Sequence, residues 1–334
     1  MRLALGFEFS FELCLLPRLN AFRACIVGII GSGLRGGLLG CELLVFCGIA
    51  CIALIELPLL ALAALGVVRL LQSLVQSRPG VLHLAAGVLY VVNPYVTVYA
   101  NRTSVALLAY AALPWLLLSV HHGLRRPHGW RWPAVFALVL TSTAGGINAA
   151  VIAFVLLAPL GLAAYELAIG DVSRRAVGSL AWRMVLVNVV VSAWWVVPTV
   201  VHAGYGLDFL PYTEQPGTIW GTSSLPEALR LMGFWTSYIG VGYGGGLRPF
   251  ASHGPALLFQ TGIVAASLLV PALALTSFAW VRRGRYAPFF LALALGGLLV
   301  MAAGFPDGTP LRRALTFTYN HVQPVQVLRT TYKA

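Results

Sequence analysis

Hydrophobic residues run along this chain in long blocks. From Gly36 to Val68 only Glu42 and Glu56 interrupt an apolar stretch. Roughly twenty apolar residues carry a helix across a bilayer, so this block predicts one long span or a tight pair. Arg69–Arg78 predicts a polar link. Val81–Val92 is a short apolar run closed by Asn93-Pro94, where the proline pushes its predecessor out of helix. Ser104–Val120 predicts the next span and His121–Trp132 a basic loop. Pro133–Leu167 is apolar but broken at Ser142–Asn148, where Gly145-Gly146 predicts a turn between two short or tilted helices. Met184–Val201, Ala256–Val281 and Phe289–Ala303 predict further spans, and the tail begins at Phe305.

One connector breaks the rhythm. Residues 202–255 carry Tyr205, Asp208, Phe209, Tyr212, Glu214, Trp220, Glu227, Arg230, Trp235, Tyr238, Tyr243 and Arg248, with Gly244-Gly245-Gly246 as a hinge. Connections between helices are usually short. Flat rings with a few acids and arginines suit a sugar or a lipid headgroup. The plainer alternative is a loop folded back on the membrane with its rings at the interface.

Composition supports a membrane protein. Hydrophobic residues are 59% and charged residues 10%, with a mean hydropathy of +0.85, where soluble domains carry about 25% charged residues. The net charge of +12 invites a nucleic-acid reading. The arginines argue against it, because they fall in short clusters between apolar runs: Arg125/Arg126/Arg131, Arg174/Arg175/Arg183 and Arg282/Arg283/Arg285. That is the positive-inside pattern. It puts these clusters in the cytoplasm, loop 202–255 and the tail outside, and the chain in the cytoplasmic (inner) membrane as a multi-pass protein. His121, His122 and His128 then read as a solvated, lipid-facing loop.

Lys333 is the one lysine, and with the abundant Ala, Gly, Val and Leu this points to a GC-rich, bacterial genome. All five cysteines lie in the first 51 residues without metal-ligand spacing. They make residues 1–54 look foreign to the rest, as a mis-started or frame-shifted beginning. Residues 55–334 read as the membrane domain, cut at its C-terminus.

Asp208 and Glu214 are the candidate catalytic acids, since a transferase needs a carboxylate to take the acceptor's proton. Glu227 and Asp307 are the other outward acids. Arg102, Tyr205, Trp220, Arg230, Trp235 and Arg248 are candidate substrate contacts, with Arg312 and Arg313 as further cations for a departing phosphate. No metal site is read. No phosphate-binding glycine loop is present, since Gly244–Gly246 lacks the following Lys-Ser/Thr.

Asn93-Pro94-Tyr95, then Asn101-Arg102-Thr103-Ser104 leading into Ala112-Leu113-Pro114-Trp115, resembles the membrane region of actinobacterial alpha-(1->3)-arabinofuranosyltransferases of the AftD type. Gly145-Gly146-Ile147-Asn148-Ala149, Trp194-Trp195-Val-Val-Pro198 and Tyr332-Lys333-Ala334 are similar to it too. The resemblance covers roughly residues 55–334. It implies an all-α polytopic transmembrane bundle of the GT-C class with an aromatic-rich extracytoplasmic loop, corresponding to the N-terminal membrane region of such an enzyme. It implies a polyprenyl-phosphate arabinofuranose donor and a cell-wall arabinan acceptor, with no nucleic acid. The cofactor stays open; a divalent cation is compatible with the class. The sequence departs from the pattern in one respect: GT-C enzymes keep an aspartate in the first external loop, and no aspartate precedes Asp171 here. An inactive truncated protein and a lipid-linked sugar transporter therefore stand beside the transferase as alternatives.

Overall fold

The computed structural model describes residues 37–100, 105–143, 149–206, 215–243, 246–281, 284–322, 326, 330 and 331. Asp208, Glu214 and Arg102 lie outside them. The chain divides into two compact units, Met1–Ile55 and Glu56–Ala334. Residues 1–36 of the first unit are outside the described set. The second unit builds the helical bundle.

The apolar blocks are helices. They are α1 (Gly37–Val75), α2 (Val81–Val91), α3 (Pro94–Tyr99), α4 (Val105–Arg125), α5 (Arg131–Thr141), α6 (Ala149–Ala168), α7 (Arg174–Tyr205), α8 (Pro216–Gly221), α9 (Leu225–Leu229), α10 (Gly254–Phe259), α11 (Thr261–Val281), α12 (Ala287–Ala302) and α13 (Pro310–His321). A two-stranded antiparallel hairpin, β1 (Gly240–Tyr243) and β2 (Gly246–Pro249), sets Val241 opposite Arg248. Among the described residues, six helical segments are long and apolar enough to cross a membrane: Glu56–Val75, Val81–Tyr99, Ala106–Arg125, Ala150–Ala168, Arg174–His202 and Thr261–Ala279. Only α-helices and closed barrels satisfy their own backbone groups in hydrocarbon, so an all-α bundle is the expected solution.

α4 is the centre of the bundle. It packs on α5 and α6, and α5 packs on α7. Leu116, Leu117, Val120 and Leu124 of α4 are buried with Phe136, Leu140, Val155, Leu162, Leu180 and Phe289. Gly123 lets α7 come close, since a Cβ there would stand 2.8 Å from Leu180 Cδ1. Small residues serve this purpose between membrane helices. By contrast α7 and α11 turn most of their side chains outward, including Val185, Val189, Trp194 and Leu269. Outward apolar side chains belong against lipid.

Several boundaries differ from the sequence expectation. The link expected at Arg69–Arg78 is helical as far as Val75. α7 begins at Arg174, ten residues before the expected start at Met184, and continues through Pro198 to Tyr205. A bilayer tolerates proline within a helix because other groups satisfy the freed carbonyl. The expected loop at His121 is the last turn of α4, and His121 is buried. The tail contains α13, whose start is set by Pro310 at the first position and by Thr309 Oγ1, which accepts from Arg312 N–H at 3.2 Å. Within Pro133–Leu167, α5 ends at Thr141 and α6 begins at Ala149, and the Gly145-Gly146 turn expected between them lies outside the described residues.

Candidate functional site

The helices have two chemically different ends. One carries the arginine clusters; at the other, residues 215–260 fold into a lobe. Its elements are short because prolines start them: Pro216, Pro226 and Pro255 each sit in a helical first turn. The end of α9 is unusual. The N–H of Met232 reaches back to the Glu227 carbonyl at 2.8 Å, which places Leu231 in the left-handed region at φ 58°. Glycine usually fills that position, and a leucine there costs about 1–2 kcal/mol.

The lobe rests on a core of its own. Val96, Val98 and Tyr99 of α3 and Leu107 of α4 pack with Ile219, Trp220, Met232, Phe234 and Leu257. Trp220 is therefore a core residue. The Arg312 guanidinium lies over it at 4.4 Å, and Arg312 also donates to the Gly304 carbonyl at 2.7 Å and pairs with Asp307 at 3.0 Å. A Cβ on Gly304 would stand 2.3 Å from Trp220 Cγ.

Arg230 is buried too, at 4% exposure. Its Nη1 donates to Glu227 Oε1 at 2.9 Å, its Nε to Ser267 Oγ at 2.7 Å, and its Nη2 to the Leu257 carbonyl. These bonds tie α9 to α10 and α11. Tyr238 donates to the second oxygen of Glu227 at 2.5 Å. Burial, and then this bond, push the Tyr238 hydroxyl well above its ordinary value, so it stays protonated. Trp235 is half-buried beside Phe234, while Arg248 is exposed on β2 and Tyr205, at 92% exposure, stands clear at the end of α7. The structure thus gathers Trp220, Arg230 and Trp235 inside the lobe and leaves Arg248 exposed on β2 and Tyr205 exposed at the end of α7.

Beneath the lobe lies a cavity of about 370 Å³ between α2, α4, α6 and α12, with Leu231 at its edge. Its lining is mostly apolar, and three tyrosines form one wall. Tyr90 and Tyr110 stack at 4.2 Å, and Tyr110 and Tyr95 at 5.1 Å. The rings continue into the lobe through Tyr95–Tyr99 at 4.6 Å and Tyr99–Phe234 at 4.9 Å. Asn93 organises this ladder. Its Oδ1 caps α3 by accepting from Val96 N–H at 3.1 Å, and its Nδ2 donates to the Tyr90 carbonyl at 2.7 Å and to Tyr110 Oη at 2.9 Å. The sequence marked Asn93-Pro94 as a break and Asn93-Pro94-Tyr95 as a family-like motif; Tyr90 and Tyr110 were hidden in apolar runs.

The arginine end holds a buried acid that sequence reasoning passed over. Glu166 has no exposed surface. It accepts from Tyr286 at 2.8 Å and lies 3.2 Å from His121 Nδ1, with Arg125 and Arg285 each at 3.6 Å. Arg285 also pairs with Asp171. The signal was legible, since an acid ending an apolar span is costly unless partnered. Burial first, and then the bond to Glu166, raise the Tyr286 hydroxyl above its ordinary value. Among the described residues no three His, Cys, Asp or Glu side chains converge as metal ligands.

Bilayer-length helices beneath a folded aromatic lobe make this a multi-pass, all-α membrane protein. Residues 55–333 match the family described as alpha-(1->3)-arabinofuranosyltransferase, N-terminal GT-C domain, and the chain belongs to that family. It is also similar to the alpha-(1->3)-arabinofuranosyltransferase of Mycolicibacterium smegmatis (strain ATCC 700084 / mc(2)155), at 27% identity over 255 residues. The match covers 75% of this chain and 17% of the length of that relative. No solved structure matches the chain.

Proposed function

We propose that this chain is the membrane domain of a glycosyltransferase that moves arabinofuranose from a polyprenyl-phosphate donor to cell-wall arabinan, at the outer face of the cytoplasmic membrane. The match of residues 55–333 to an arabinofuranosyltransferase domain carries the proposal. The tyrosine-walled cavity under the lobe supports it, because an amphiphilic donor needs an apolar groove that ends beside a polar, aromatic surface. In this reading residues 55–334 form the catalytic membrane unit, the lobe faces outward and the arginine clusters face the cytoplasm.

The chemistry asks for two things. A carboxylate takes the acceptor hydroxyl's proton as the new glycosidic bond forms. Positive charge receives the phosphate as it leaves with the electrons of the broken bond. Asp208, and after it Glu214, are assigned the first role, because in sequence they lie between the end of α7 and the start of the lobe. Arg102 and Arg248 are assigned the second, with a divalent cation as the alternative source of charge. Tyr205 offers the sugar an exposed ring. Trp220, Arg230 and Trp235 serve the substrate indirectly, by fixing the lobe over the cavity.

The test is transfer from a labelled polyprenyl-phosphate arabinose to an arabinan acceptor in membranes carrying the chain. Transfer that is lost in Asp208→Asn, with expression and folding unchanged, supports the assignment. Full activity in that variant removes Asp208 as the base. Label that crosses the bilayer without reaching acceptor would replace transfer with transport.

A further inference from the structure

A second cavity lies toward the arginine end, away from the lobe. It has a volume of about 260 Å³, and α4, α5, α6 and α7 line it. Leu124, Phe136, Leu156, Leu180 and Met184 make it apolar. The amide nitrogen of Asn188, its one polar lining side chain, is bonded to the Met184 carbonyl at 2.7 Å. The cavity opens sideways, because Leu160 and Val185 on its wall are 65% and 62% exposed. In a bilayer that opening faces hydrocarbon.

The rim is positively charged. Val177, Ala181, Val185 and Asn188 line the cavity from one face of α7, and Arg174 lies on that face one turn nearer the arginine end, at the spacing that stacks side chains along a helix. Arg175 follows it, and Arg126 lies just past Leu124 at the end of α4; all three are exposed. The acids of this end are already engaged, Glu166 by Arg125 and Arg285, and Asp171 by Arg285. Among the described residues Arg126, Arg174 and Arg175 have no carboxylate partner.

We infer that this cavity binds one acyl chain of an anionic phospholipid from the adjoining leaflet, with the lipid's phosphate held at Arg174 and its neighbours. Moving a chain from bilayer to groove gains little, because lipid tails are as apolar as leucine. Selection therefore falls to the headgroup, where arginine suits phosphate. Basic pockets between membrane helices bind anionic headgroups in this way. The site is separate from the cavity assigned to the sugar donor and does not depend on that assignment.

The experiment is native mass spectrometry of the full chain released from nanodiscs made with equal phosphatidylglycerol and phosphatidylcholine. The expected result is retained phosphatidylglycerol in preference to phosphatidylcholine. Arg174→Gln/Arg175→Gln should lower that preference by about thirtyfold. Ala181→Trp, which fills the cavity, should cut retention of both lipids; Leu156→Phe provides a milder filling if the tryptophan variant fails to fold. Equal retention of the two lipids by the wild type overturns the inference. So does loss of retention in the arginine variant with none in either filled variant, which would mean adsorption to surface charge alone.

Discussion

Replacing Arg230 with methionine should loosen the lobe and its tie to α11 while leaving the spans that do not contact it unchanged. Arg230 is 4% exposed, and its three nitrogens bond to Glu227, Ser267 and Leu257. Methionine keeps much of the volume and removes the charge and every donor. Breaking a buried ion pair by removing one partner costs about 3–5 kcal/mol. The Glu227 side chain is 20% exposed and keeps its bond from Tyr238, so water relieves part of that cost. The low end, about 3 kcal/mol, is expected. Hydrogen exchange on residues 215–260 reads it directly, as a loss of protection of about a hundredfold. Protection in α4 and α6 should not change. Glu227→Gln combined with Arg230→Met should cost less than the two single changes added, by about 1–3 kcal/mol, because the pair is removed as a unit. A change of twofold or less in the single variant would refute the argument, since a surface substitution costs about that much.

Other tests are simpler. Gly304→Ala drives a methyl group into Trp220 and should cost about 1–3 kcal/mol of lobe stability, followed by tryptophan fluorescence during thermal unfolding. Asn93→Ala removes a helix cap and a tyrosine tether together; about 1–2 kcal/mol should be lost, with greater exchange in α3. The raised Tyr238 hydroxyl gives a pH signature. Its contribution is complete below the ordinary tyrosine value of about 10 and is lost as the pH rises beyond it. Lobe stability should therefore fall above that pH, and Tyr238→Phe should fall less steeply. An identical slope in the two proteins would exclude Tyr238 as the source.

The spans could be read from the sequence because a bilayer demands continuous apolar runs, and the end of α5 at Thr141 lies one residue before the Ser142 at which the break was expected. The helix ends were harder. Arg174–Arg183 looked like a loop because arginines are poor bilayer residues, but here they occupy the first turns of α7, where long side chains reach back toward the interface. His121 looked solvated because its neighbours are basic, whereas α4 carries it inward to Glu166. The fates of Trp220 and Arg230 depend on residues distant in sequence. Arg230 meets Ser267, 37 positions away, and Trp220 meets Arg312. No local pattern distinguishes such a buried tie from a ligand contact. Asn93 was visible as a break, but its grip on Tyr110 required the fold.

The reach of Arg230 also sets an order of assembly. Its partners Leu257 and Ser267 are made after it, and Ser267 belongs to α11, a segment that must itself enter the bilayer. As the chain emerges from the ribosome, residues 215–243 can dock on Tyr99 and Leu107, already synthesised, and Arg230 can pair with Glu227, but its bonds to Leu257 and Ser267 wait for α10 and α11. The lobe is thus completed by the following span. A defect in inserting α11 would leave the Arg230–Glu227 pair without its anchor to Ser267, and the lobe incomplete even with every earlier helix in place.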